Sequence, residues 1–410
     1  MNRSNASRGA RSRRRFLQHA GAIGAGTLLG VPLRALAADD VTLPIANGMR
    51  PVVAYPQKRP LIVVTSRPPQ LETPFDVFDD GVVTPNDAFF VRYHLAGVPT
   101  TIDVDSYRIT VKGKVATPLS LSVDDLKRMD AIEYYAVNQC SGNSRGFFEP
   151  RVAGGQLANG AMGNAKWRGV PLKAVLARAG IEASARQVTF NGLDTPVLPT
   201  TPDFVKALDV DHAMDGEVMI AYAMNGADLP MLNGYPVRLV VPGWYGTYWM
   251  KHLTEITAIE GTLSDFWMAT AYRIPDNACA CVPPGASPTK TVPINRFDVR
   301  SFTTNPRDGA TVTANAPFTV RGIAFDGGFG IRHVDVSTDG GSTWREATLG
   351  ADLGRFSFRE WKTTASVPAG THDIKVRAIN AIGNSQPSEP LWNPAGYMRN
   401  VVETTRIRAA

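Results

Sequence analysis

The stretch Ala131-Ile132-Glu133-Tyr134-Tyr135-Ala136-Val137-Asn138-Gln139-Cys140-Ser141-Gly142-Asn143-Ser144-Arg145 carries the most information in this chain. Its first seven residues form an apolar run that predicts a strand. A Ser-Gly-Asn turn and an arginine follow at once. Cys140 therefore ends a strand at a polar rim, with a cation near enough to favour thiolate. A thiolate there is a nucleophile or a soft metal ligand; a buried cysteine that only packs is the alternative on this run alone.

The other two of the three cysteines, Cys279 and Cys281, stand one residue apart. Three thiols exclude a dense disulfide framework. The short spacing predicts strain in a mutual disulfide, so exposed free thiols are expected in this linker. No Cys-x-x-Cys-His occurs, and a haem attached to this chain is not expected.

Residues 1–37 read as a leader. Ser12-Arg13-Arg14-Arg15-Phe16-Leu17 precedes an apolar Gly/Ala-rich run to Leu33, and Ala35-Leu36-Ala37 offers a cleavage site. This order predicts twin-arginine export to the periplasm as a folded protein. The apolar run is too short and glycine-rich to span a membrane, so no anchor is expected after cleavage. The leader also explains the net charge of +6: its seven arginines leave 36 basic residues against 37 acidic ones. The remaining chain gives no charge argument for nucleic-acid binding.

Outward from Cys140 the expected class is α+β. Residues 38–85 are proline-punctuated and read as an irregular wrapping segment. From 86 to 262 strands alternate with short helices. Ser122 predicts the cap of a helix over Val123–Met129. Pro171 and Gly180 bracket an amphipathic one. Val218–Tyr222 and Pro236–Val241 read as buried strands. Residues 263–290 form a linker rich in Pro and Ala. From 291 to 405 short alternating strands, with a turn at Asp339-Gly340-Gly341-Ser342, predict an immunoglobulin-like sandwich without the Cys…Trp…Cys pattern.

Four segments supply polar groups suited to one site. Phe89-Phe90-Val91-Arg92-Tyr93-His94 places Arg92 and His94 on one face by period-two alternation. Cys140 and Arg145 form the second. Arg238, the glycine turn Val241–Gly246 and Lys251 form the third, suited to phosphate-like oxygens. Trp267 and Tyr272, where the chain enters the linker, form the fourth. Each is weak alone; together they suit a metal centre acting on an anion.

These motifs, in this order and spacing, resemble the sulfite oxidase family of molybdoenzymes, and most of all its periplasmic bacterial sulfite dehydrogenases. The resemblance covers roughly residues 60–405, including Val334-Asp335-Val336-Ser337-Thr338-Asp339-Gly340-Gly341-Ser342-Thr343-Trp344 in the last module. It implies a molybdopterin-binding domain followed by the sandwich. It implies a molybdenum–molybdopterin cofactor in dioxo form, with Cys140 as the metal ligand. Arg92, Arg145 and Tyr272 take catalytic roles on the same ground. Phe90, Arg92, His94, Asp194, Asn233, Arg238 and Lys251 take cofactor-binding ones.

The chain also departs from the family. Asn233 stands where vertebrate members have histidine. A pocket tryptophan is replaced near Leu157, and a substrate-side arginine is replaced around Ala395. The implied reaction is oxidation of sulfite, with water, to sulfate. A c-type cytochrome, as subunit or transient acceptor, takes the electrons, and either a cytochrome heterodimer or a homodimer is expected. Two other readings remain: a different molybdopterin oxidoreductase acting on a sulfoxide or nitrate, and an exported binding protein that purifies without molybdenum.

Overall fold

The strand leading to Cys140 spans Ile132–Gln139 and runs antiparallel to Met162–Pro171, with Gln139 opposite Met162. In this computed structural model residues 40–42 and 49–410 are described; the leader expected at 1–37 lies outside them. Met162–Pro171 also pairs with Met219–Met224, which pairs in turn with Arg238–Val240. One sheet therefore carries both the cysteine and Arg238. A second sheet orders Lys206–Asp209, Gln187–Gly192, Leu253–Ile259, Ile109–Gly113 and Leu119–Leu121, with one parallel pair between Leu253–Ile259 and Ile109–Gly113.

Helix is scarcer than expected. Ser122 does cap a helix, in a reciprocal box with Asp125, but that helix ends at Lys127. Leu172–Ala179 is the longest among the described residues, at eight residues, and Gly180 closes it at φ 69°. The fold is mostly β.

The wrapping segment differs from its reading as irregular. Asp40–Thr42, Met49–Val53, Leu61–Ser66 and Pro69–Glu72 are consecutive antiparallel strands, and Val91–Arg92 completes their sheet. The apolar Leu61-Ile62-Val63-Val64 run overrides the proline signal, because Pro69 opens a strand, where no ladder donor is needed. Leu61, Leu71, Val91 and Tyr93 pack into a small core of their own.

Beyond the linker, two sheets enclose a core. One orders Arg300–Asn305, Phe318–Phe325, Arg359–Ala365 and Thr348–Leu349; the other orders Thr311–Val312, Glu403–Ala409, Gly370–Asn380, Ile331–Ser337 and Arg345–Glu346. Val320 and Trp361 from the first meet Val334, Ile374 and Ile407 from the second. The main core of the molecule continues into this sandwich. Phe75 meets Phe302 at 5.6 Å between ring centroids, and Phe78 meets Phe358 at 6.0 Å. Residues 38–410 accordingly form one compact unit.

Cys279 and Cys281 are bonded to each other, contrary to the free thiols expected of them. Their Cα atoms lie 5.1 Å apart, within the span a disulfide accommodates. The intervening Ala280 makes the turn in the left-handed region, at φ 49°.

Candidate active site

Cys140 is the free cysteine of the chain and is buried. The strand delivers it into a tight turn: its N–H donates to the Ala161 carbonyl at 2.9 Å, and its carbonyl accepts from the Asn143 N–H at 2.9 Å. The thiol lines a pocket together with Arg92, His94, Asn233, Arg238 and Lys251. Phe90 and Tyr272 close two further sides. Eight of the ten residues singled out from the sequence therefore share one pocket.

Period-two alternation works as expected in the segment before Leu95. Val91 and Tyr93 point into the core, whereas Arg92 and His94 face the pocket. His94 Nε2 lies 2.5 Å from Tyr272 Oη, and Arg92 Nη2 lies 3.5 Å from the same oxygen. The His94 ring stacks on Phe204 at 3.6 Å and meets the edge of Trp267 at 5.3 Å. Burial, with Arg92, Lys251 and Lys206 nearby, pushes the His94 pKa well below its ordinary value, so the imidazole is neutral. Burial pushes Tyr272 up, so the phenol keeps its proton.

The opposite wall is cationic. Arg238 stands beside the packed pair Trp167 and Trp249, 5.1 and 5.5 Å from their ring centroids. It donates to the carbonyls of Asn233 at 2.9 Å and Trp249 at 3.2 Å. Lys251 Nζ donates to the Arg92 carbonyl at 2.6 Å and stands 4.1 Å over the Tyr93 ring. Burial lowers the Arg238 pKa to about 9 and that of Lys251 to about 7, the latter against the pull of Asp194. Asp194 is buried but does not line the pocket, and desolvation raises its pKa. It acts on Lys251 through its field, because no ion pair joins the two among the described residues.

Arg145 is also off the pocket surface. Its Nε donates to the Ala395 carbonyl at 3.2 Å, and its guanidinium carbon sits 4.9 Å from the Tyr397 ring centroid. Tyr397 in turn stacks on Tyr272, with centroids 5.3 Å apart. Arg145 therefore reaches the pocket through one aromatic ring. Glycines make its slot: a Cβ at Gly142 would lie 2.8 Å from the guanidinium, and one at Gly154 or Gly396 would come within 2.9 Å of the side chain. Leu157 is buried, and its carbonyl accepts from the Gly146 N–H at 2.9 Å.

Two functional residues escaped the sequence reading. Lys58, in the wrapping segment, donates to the carbonyls of Asn86 at 2.6 Å and Phe89 at 2.9 Å, and to Asn233 Oδ1 at 2.5 Å. It locks Asn233, whose Nδ2 donates to the Phe90 carbonyl at 3.0 Å. Burial lowers its pKa to about 7. Tyr397, two residues past Ala395, stacks on Tyr272 from behind the pocket, near where the sequence shows only a missing arginine. The Asn393-x-x-x-Tyr397 spacing, closed by Asn393 Oδ1 accepting from the Tyr397 N–H at 3.1 Å, was the available signal.

The pocket has unpartnered donors and acceptors for a polar, anionic cofactor. Asn138 Oδ1, Ser141 Oγ, Thr247 Oγ1 and Arg238 Nε are buried without partners among the described residues. Buried polar atoms are rarely left so. The unused hydrogen-bonding atoms, the cations free of ion pairs and the soft thiol fit a phosphorylated, sulfur-bearing pterin that carries a metal. Cys140 suits the metal; Arg238, Lys251 and Asn233 suit the anionic and polar parts.

Comparison with known proteins gives a molybdopterin oxidoreductase family. The oxidoreductase molybdopterin binding domain model matches residues 94–267, and the Mo-co oxidoreductase dimerisation domain model matches 291–409. Mitochondrial sulfite oxidase of Homo sapiens is 34% identical over 381 residues, covering 88% of this chain and 68% of its own. Sulfite oxidase of Gallus gallus is 34% identical over 385 residues, covering 90% of this chain and 81% of its own. The crystal structure of the sulfane dehydrogenase SoxCD from Paracoccus pantotrophus superposes with a TM-score of 0.70 at 22% identity, covering 95% of this chain and 93% of that one, a likeness of fold.

Proposed function

The chain belongs to the sulfite oxidase family of molybdopterin oxidoreductases, and on that premise we propose that it oxidises sulfite to sulfate and passes the electrons to a c-type cytochrome. The observation that carries the reading is the buried free thiol of Cys140 in a pocket where Arg92, Arg238 and Lys251 form no ion pair among the described residues. When bound, the molybdenum cofactor supplies two-electron oxygen-atom chemistry. Everything else falls to the chain's own side chains.

Cys140 would hold the metal as thiolate. Arg238 and Lys251 would take the charge of the cofactor, and Asn233, fixed by Lys58, would hold its polar edge. His94, being neutral, orients the Tyr272 hydroxyl without adding charge. Arg92 is the cation nearest that hydroxyl and neutralises the oxyanion of the substrate. A charge-assisted contact of this kind contributes about 1.5–3 kcal/mol. Tyr272 holds its proton on Oη and donates to a substrate oxygen. Arg145 acts on Tyr272 through the Tyr397 ring, and is a positioning residue.

With no Cys-x-x-Cys-His for a covalently attached haem in the sequence, the proposed acceptor lies outside this chain. The twin-arginine leader supports a periplasmic setting, where c-type cytochromes are met as subunits or in passing. The matched dimerisation domain supports pairing of two such chains through residues 291–409. The test is sulfite-dependent reduction of cytochrome c by purified protein, beside a molybdenum assay and a Cys140→Ser variant. Activity with one molybdenum per chain, lost in the variant, is expected. Molybdenum without sulfite activity would instead favour another oxyanion or a sulfoxide.

A further inference from the structure

The disulfide between Cys279 and Cys281 takes no part in the chemistry above. Its loop leaves the strand Arg273–Pro275, which directly follows Tyr272. Asn277 fastens the loop from within: its Oδ1 accepts from the Cys281 N–H at 3.2 Å, and its Nδ2 donates to the Cys281 carbonyl at 2.8 Å. The Val282 N–H donates to the Trp392 carbonyl at 2.9 Å, tying the loop to the segment that carries Ala395 and Tyr397. Cys279 is exposed and Cys281 half-buried. Residues 277–289 carry no charged side chain. At the ends of the loop Asp276 and Lys290 neutralise each other at 2.5 Å. The loop itself therefore presents no unpaired carboxylate to an anion.

Sulfite is a sulfur nucleophile and reacts with disulfides as a thiolate does. We propose that the Cys279–Cys281 disulfide is a reversible sulfite-modification site. This rests on the reading of sulfite as substrate, which brings that anion to the protein. The sulfite sulfur attacks Cys279 Sγ, on the more exposed of the two residues. Its lone pair forms the new S–S bond of an S-sulfocysteine at 279. The electron pair of the old S–S bond leaves with Cys281 as thiolate, so no external oxidant or reductant is required.

The reverse step is built in. Cys281 stays one residue from the adduct, so its thiolate acts at high effective concentration and expels sulfite as the disulfide re-forms. Occupancy of the adduct then follows the free sulfite concentration instead of accumulating.

The test uses the holoenzyme with excess sulfite and no electron acceptor, so that turnover does not exhaust the anion. Iodoacetamide traps any thiol released, and peptide mass spectrometry reads the segment. The expected product carries one sulfonate on Cys279 and one alkyl group on Cys281. It should fall more than about tenfold when sulfite is removed before alkylation, and be absent from a Cys279→Ser, Cys281→Ser variant. Three results would overturn the proposal: no sulfonate at a sulfite concentration that opens oxidised glutathione in the same tube, a sulfonate that persists after sulfite is removed, or two free thiols before sulfite is added. The mass readout does not depend on turnover. Loss of the adduct is therefore distinguishable from failure of the sulfite-oxidising reading, which cytochrome c reduction reports separately.

Discussion

Arg238 and Arg300 are both enclosed, and the molecule treats them in opposite ways. Arg238, in the pocket, donates to two backbone carbonyls, stands beside two indole rings and meets no carboxylate in an ion pair among the described residues. Arg300, in the seam between the two modules, donates to Glu403 at 2.8 Å and to Ser144 Oγ at 3.0 Å, and Glu403 also accepts from Arg399 at 2.7 Å. Glu72 belongs to the same seam. It is fully buried, and its oxygens accept from the N–H groups of Ala158 and Gly160 at 3.1 and 3.2 Å. Arg300 meets a carboxylate, although its Nε and Nη1 find no hydrogen-bond partner among the described residues. Arg238 meets no carboxylate in an ion pair there, and that difference in counter-charge separates a ligand site from a structural clasp in the same interior.

Removing the thiol strikes the pocket hardest. Cys140→Ser should cost more activity than the about 10–100-fold typical of losing an outer partner at a metal site, with molybdenum no longer retained by the purified protein. The two arginines give the sharpest contrast. Arg300→Met should lower stability by about 1.5–3 kcal/mol, the scale of a lost hydrogen bond to a charged group, since Glu403 keeps Arg399; denaturant midpoints would show it. Arg238→Met should change the stability of cofactor-free protein by less than about 1 kcal/mol, because a desolvated cation disappears along with its contacts, yet cofactor retention should fall. Equal destabilisation by both would break the comparison.

Tyr272→Phe should lower kcat/KM about tenfold, the scale of one hydrogen bond to a charged group, while molybdenum content stays unchanged. The smallest effect is a slope. Burial raises the Glu72 pKa from 4.5 to about 7. Between those values the native state binds the extra proton, so stability falls as pH rises through that window and levels off above it. Glu72→Gln should flatten this slope, a difference of roughly 2–4 °C in melting temperature between its two ends.

What the sequence made legible was local. An apolar strand meeting a polar turn announces the place of Cys140, and alternation alone puts Arg92 and His94 on one face. What it hid depends on contacts between distant residues. Arg145 follows Cys140 by five positions, yet its place beneath Tyr397 is decided by the approach of residues 395–397 from the far end of the chain. Lys58 lies in a segment whose prolines read as irregular, and only the folded sheet brings it against Asn233. The Cys279–Cys281 bond was judged from spacing, whereas Ala280 adopts the left-handed turn that brings the two sulfurs together. The Ser122 helix stops at Lys127, two residues short of its expected end at Met129, whereas the helix bracketed by Pro171 and Gly180 forms as read.

The hydrogen bond from Arg300 to Ser144 has a consequence for inheritance. Ser144 lies in the loop that presents Cys140, and Tyr397 covers Tyr272; both contacts cross residue 290. The reactive centre is thus a joint product of two modules that are contiguous blocks of sequence. A chimera of two relatives joined in the linker is expected to fold on either side and still mismatch at the thiol loop. Recombination there succeeds only when the arginine, the serine and the capping tyrosine travel as a set.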